Sequence, residues 1–129
     1  MSNLIGPAGG GREWAVDKLN ALRLGQWLVA EIPASAPGRQ TFVEIMPITT
    51  PADEQARREG WKRSDRARTF RLEHWEFDSE RLFGFDYDIG AVLVRTGVAV
   101  GEPELNATLQ VWQLDPGQFV YPWQCDYPR

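Results

Sequence analysis

His74 is the only histidine of the chain and Cys125 its only cysteine. Any nucleophilic system of the Ser-His-Asp or Cys-His kind would therefore have to run through that one imidazole. It lies between Glu73 and Trp75 in a run of strand composition, a setting that suits a packed or surface histidine better than a catalytic one. One histidine and one thiol fall short of a zinc ligand set, and a lone cysteine excludes an intramolecular disulfide. Carboxylates remain: Glu73, Glu76 and the pair Asp86 and Asp88 could serve a hydrolase or hold magnesium. Two Asp near a helix start act equally well as caps, and acidic segments are commonly solvated faces. Gly6, Gly9, Gly10 and Gly11 have no strand before them and no Lys-Ser/Thr after them, so they do not form a phosphate loop. The expectation is a protein with no catalytic residue, metal or cofactor.

Charge is distributed in blocks. From Arg57 to Arg71 seven basic residues stand against Glu59 and Asp65, and from Glu73 to Asp88 six acids stand against Arg81. The two blocks can neutralise each other. Trp61 and Phe70 inside the basic block would suit base stacking on a nucleic-acid strand, but the acidic block that follows and the net charge of −4 argue against nucleic acid as the partner. No run is long enough to span a membrane, and the N-terminus lacks a basic segment followed by an apolar one, which together with the lone cysteine leads us to expect a cytoplasmic protein.

The elements that must position these residues belong to one α+β domain, an antiparallel sheet packed by two or three helices. Residues 1–11, rich in Gly with Pro7, read as a flexible arm. Residues 12–114 form the domain. Ala15, Leu19 and Leu22 at i, i+4 and i+7, with Gly25 as a stop, predict an amphipathic helix over 12–24. QWLVAEI (26–32) and TFVEIMPI (41–48) predict an antiparallel hairpin, with Pro47 at a strand end or on an edge. Thr50 as N-cap, Pro51 at the first position, Asp53 as the capping carboxylate and Gly60 as the stop predict a short helix over 51–59. Thr69 to Phe77 predicts a strand whose apolar phase switches near His74, from Phe70 and Leu72 on one face to Trp75 and Phe77 on the other, so a bulge or burial of both faces is expected there. Residues 81–87 fit an edge strand or a loop. Residues 88–97 fit either a helix, by the spacing of Ile89, Val92, Leu93 and Thr96, or a strand, by β-branched content. Asn106 to Leu114 alternates and predicts a strand. Residues 115–129, with three prolines and four aromatics, predict a tail lying extended across the body.

Leu19-Asn-Ala-Leu22 with Gly25-Gln-Trp-Leu-Val29, the Phe42-Val43 strand, Glu59-Gly60-Trp61, and Ala91-Val-Leu-Val-Arg-Thr96 leading to Val98 and Pro103-Glu-Leu105 resemble the YbjN and type III secretion chaperone-like superfamily (TY-chap) over about residues 13–112. The resemblance implies an α+β domain that binds peptides or partner proteins without turnover, and it implies a helix over 88–97. The expected partner is a protein or peptide held in a groove between sheet and helix, with Trp61, Trp75, Phe77 and Trp112 as apolar anchors and Arg63, Arg66 and Arg68 as the polar rim. A homodimer stays open. An immunity protein neutralising a bacterial toxin by direct binding is the alternative, and a carboxylate-dependent hydrolase using Glu73, Glu76 or Asp86 is the third reading.

Overall fold

A computed structural model describes residues 13–78 and 91–125. Helix α1 (Val16–Arg23) leads into strands β1 (Leu28–Ile32) and β2 (Arg39–Pro47). Then follow helix α2 (Pro51–Arg58), strands β3 (Thr69–Asp78) and β4 (Val92–Val100), helix α3 (Gly101–Val111), and two 3-10 turns at Pro116–Gln118 and Pro122–Gln124. The four strands pair antiparallel in the order β1-β2-β3-β4. Sequence order and spatial order coincide, as in a meander built from local hairpin pairings. The predicted α+β class is the one observed. The N-terminal arm and the 81–87 segment lie outside the described residues.

Register assigns the two faces. Leu28, Ala30, Val43, Ile45, Phe70, Leu72 and Ala99 share the face that packs Leu22 of α1, Leu105 and Leu109 of α3, and Leu114 and Phe119 beyond it. Each Leu, Ile, Val or Phe among them, fully removed from water, contributes about 1.5–3 kcal/mol. On the opposite face Val29, Phe42 and Phe77 are fully buried, with Trp75, Ala91 and Cys125 packed against them. Between His74 and Trp75 the pairing with β4 shifts register, and on β3 itself His74, Glu76 and Phe77 are buried. This is the irregularity that the phase switch of β3 demands.

Two expectations are corrected. Residues 106–114 are not a strand: residues up to Val111 belong to α3. Its first turn carries Glu102, Pro103 and Glu104, suited to the exposed N–H groups and positive dipole end of a helix, and Leu105 and Leu109, four apart, are buried while Val111 is 79% exposed. The alternation of Leu109 and Val111 was coincidental with a helical stripe. The helix that the resemblance implies over 88–97 is also overturned from Val92 onward, where VLVRTGVAV is strand β4. Its β-branched side chains favour the pleated surface and outweigh the helical spacing.

The first helix is shorter than expected, starting at Val16 and ending at Arg23; Gly25, with a φ of 87°, closes the turn after it, and Gln26 N–H donates to Ala21 O at 2.9 Å. The α2 N-terminus forms as read: Thr50 N–H and Oγ1 donate to Asp53 Oδ2 at 2.8 and 3.0 Å. The described part of the tail is turned rather than simply extended. Val120 exchanges backbone hydrogen bonds of 2.9 and 2.8 Å with Val29 at the outer edge of β1, and Tyr121 donates to Asp17 at 3.0 Å.

Candidate functional site

The basic block is the place to begin, because the structure divides it. Arg68 is 3% exposed and grips Asp53 with both Nη atoms at 2.8 and 2.6 Å. Its Nε donates to Arg23 O at 2.7 Å and its Nη2 to Arg63 O at 3.0 Å, while its own carbonyl accepts from Gly101 N–H at 2.9 Å. Arg68 therefore ties together the end of α1, the start of α2, the loop before β3 and the start of α3. Arg63 joins the same cluster through Asp53 at 3.2 Å and Asp65 at 2.8 Å. The Arg68 hydrogen bonds hold the Asp53 carboxyl far below the usual carboxylate range, against the opposing effect of burial. Arg23 pairs with Glu102 through Nε and Nη2 at 2.7 and 2.9 Å.

The basic block thus pairs chiefly with Asp53, Asp65 and Glu54. Among the described residues, only Arg71 with Glu73, at 3.8 Å, joins it to the acids that follow. Arg66, Lys62 and Arg58 are exposed and make no ion pair among the described residues. Trp61, 52% exposed, donates Nε1 to Glu59 at 2.9 Å.

The aromatic anchors are not brought together. Trp75 stacks on Phe77 at 6.3 Å between centroids and donates Nε1 to Glu73 at 3.0 Å. Phe77 itself is buried in the core of that face. Trp112 lies on the other side of the sheet, where the Arg95 guanidinium stacks over its ring at 4.2 Å and Gly97 leaves room for its edge. Trp61 stands on a third site, the loop after α2. Of the seven residues, Trp75 with Phe77 and Arg63 with Arg68 are neighbours. Arg68 and Phe77 are too buried to meet a partner directly.

The candidate acids are also placed. Burial pushes the Glu76 carboxyl up, but hydrogen bonds from Ser35 Oγ at 2.8 Å and Thr41 Oγ1 at 2.9 Å, with Arg39 at 3.7 Å, outweigh it and hold the group below its ordinary value. Glu76 is a fixed anion, unsuited to donating a proton. Burial and then Arg95 depress His74, with Glu76 opposing weakly. Its Nδ1 accepts from Arg95 Nε at 3.0 Å, which leaves the proton on Nε2. Cys125 packs on the opposite face of the sheet from His74, so the two form no dyad. Among the described residues no three His, Cys, Asp or Glu side chains converge as metal ligands. Asp86 and Asp88 lie outside the described residues.

What the sequence did not single out is β4. Among the described residues it has one neighbour in the sheet, β3, and its Val92, Leu93, Val94, Val98 and Val100 are each between 43% and 62% exposed. Ile48 N–H donates to Thr69 O across to the β2 side, and Val100 N–H turns away from β3 to Glu104 Oε1 at 2.9 Å. By the alternation of an antiparallel ladder, Thr96 and Val98 also point their N–H and C=O groups outward. The register lays Val98 beside Arg71 and Met46, and Val100 beside Thr69. Val98 and Val100 therefore expose their side chains on the face away from the helices, with Arg71 and Thr69 next to them on β3. The β-branched content of 92–100 carried the signal, but nothing in a single sequence marks which strand lies at an edge.

Comparison with protein-family models, with curated proteins and with solved structures gives no match. The resemblance to the secretion-chaperone-like superfamily rests on the quoted residues alone.

Proposed function

We propose that this chain is a non-catalytic binding module, of the kind the secretion-chaperone-like resemblance implies, that holds an extended segment of a protein partner along the outer edge of β4. The observation that carries the reading is the edge itself. A nine-residue strand, β-branched, with a single charged side chain and an outward row of backbone groups, is the template that strand addition uses. The exposed Val98 and Val100 side chains offer an apolar surface to alternate side chains of the added strand. Glu76 and His74, held as a fixed anion and a neutral imidazole, support a binding role over a hydrolytic one. A cytoplasmic location belongs to the same reading, and no helix among the described residues is long and apolar enough to cross a membrane.

Val98→Pro is the test. It removes an outward N–H while leaving the β3 ladder intact, as proline on an edge strand does. Native mass spectrometry of the protein isolated gently from its source cells should show a stoichiometric protein companion with the wild type and none with Val98→Pro. Retention of the companion by the variant, or its loss on nuclease treatment, would count against the reading.

A further inference from the structure

Arg95 is the one charged side chain of β4. It points to the helix side of the sheet, in the row that runs Val43, His74, Arg95. Its Nε is spent on His74 Nδ1 at 3.0 Å and its plane on the Trp112 ring at 4.2 Å, while Nη2 reaches Trp112 O only at 3.5 Å. No carboxylate among the described residues lies within ion-pair distance of it. A half-buried guanidinium ordinarily has an anionic partner, and here the neighbour on one side is a neutral imidazole. On the other side no described strand continues the row, because β4 ends the order of the described sheet.

We infer that the segment added to β4 carries a carboxylate opposite Arg95, flanked by apolar β-branched residues. This rests on the strand-addition reading and names the chemistry of its partner. Gly97 and Ala99 hydrogen-bond inward to β3, as Leu72 and Phe70 are their partners. Arg95 shares their parity, so it would meet the incoming residue in a non-hydrogen-bonded pair, where side chains approach most closely. A Glu at that position can form a forked pair with the outer guanidinium nitrogens. Its two neighbours in sequence face the opposite side of the sheet, where Thr96 and Val98 lie, so small β-branched residues fit there. Charge complementarity also discriminates against a second copy of this chain. In the two-fold antiparallel pairing centred on Val98, Arg95 would face Gly101 of the other copy. Centred on Thr96, it would face Gly97. Neither supplies an anion.

The experiment uses the full chain and two fluorescein-labelled synthetic peptides, Thr-Thr-Val-Glu-Val-Thr-Thr and its counterpart with Gln in place of Glu, followed by fluorescence anisotropy. The Glu peptide is expected to bind about tenfold more tightly than the Gln peptide, with the difference shrinking as salt rises. Arg95→Gln should erase the difference, and Arg95→Lys, which keeps the charge, should retain part of it. Val98→Pro should abolish binding of both. Equal binding of the two peptides, lost in Val98→Pro, would overturn the carboxylate inference and leave strand addition standing. Binding that Val98→Pro does not touch, or no binding of either peptide, would overturn both. Concentration-dependent dimerisation by light scattering, absent in Val98→Pro, would assign the edge to a second copy and overturn the proposal.

Discussion

Asp53 does two jobs. It caps α2 through Thr50 and it neutralises the buried Arg68, so its loss should be felt beyond the helix it starts. Asp53→Asn leaves a guanidinium in the interior without its counter-ion, and we expect a loss of about 3 kcal/mol in urea unfolding. Replacing both partners, Asp53→Asn with Arg68→Met, should recover part of that loss, because the desolvated charge goes with it. Asp53 and Glu76 both have depressed folded-state pKa values. The stability they contribute is therefore present above the unfolded carboxylate range and is lost as pH falls below about 4.

His74 acts earlier in the same titration. Its folded pKa is lowered by burial, so below about 6.5 the unfolded chain takes up a proton that the folded chain resists, and stability falls. Thermal unfolding followed between pH 7 and 5 should show this loss in the wild type and a flatter profile in His74→Gln. The capping function of Asp53 was readable from Thr50, Pro51 and Gly60, because caps are local. Its pairing with Arg68, fifteen residues away, was not, because seven basic residues in one block offer no local reason to choose one of them.

At the level of elements, the same distinction separates what the sequence disclosed from what it hid. The hairpin of β1 and β2, the α2 helix and the irregularity at His74 follow from turn residues, caps and apolar phase, all of which act over a few positions. Residues 101–111 misled because Leu109 and Val111 satisfy a period of two, while the decisive residues, Gly101 at φ 85° and the acids of the first turn, lie upstream of the alternating run. The helix separates Leu109 from Val111 by about 200° around its axis. Leu109→Lys should accordingly unfold the domain at 37 °C, whereas Val111→Lys should shift the unfolding midpoint negligibly. In a strand the two substitutions would fall on one face and cost alike. Circular-dichroism melts of the pair decide the matter. For β4 the β-branched composition was legible, but its place at the edge depends on which hairpins close beside it, and that is a property of the assembled sheet.

Taken together, the described residues spend much of their charge on one another. The Asp53, Arg63, Arg68 and Asp65 cluster and the Arg23–Glu102 pair lock the loops and helix ends at one end of the sheet, and Ser35, Thr41 and Arg39 fix Glu76. The aromatic residues expected to form one groove are distributed over both faces and a loop. Among the described residues, β4 shows exposed apolar side chains and a sheet edge with no strand beside it, and Arg95 lies next to that edge without a carboxylate. Among the described residues the sheet has no strand beyond β4, and the proposed partner would complete both its ladder and its charge.

Residue-resolved amide hydrogen exchange of the free protein at low concentration tests that claim most directly. The amides of Gly97 and Ala99, bonded to β3, should be protected to near the global unfolding free energy, while those of Thr96 and Val98 should exchange within the dead time and slow by at least about tenfold when the Glu peptide is added. Equal protection of Thr96, Gly97, Val98 and Ala99 in the free monomer would mean that the edge is already covered, and the strand-addition account would be wrong.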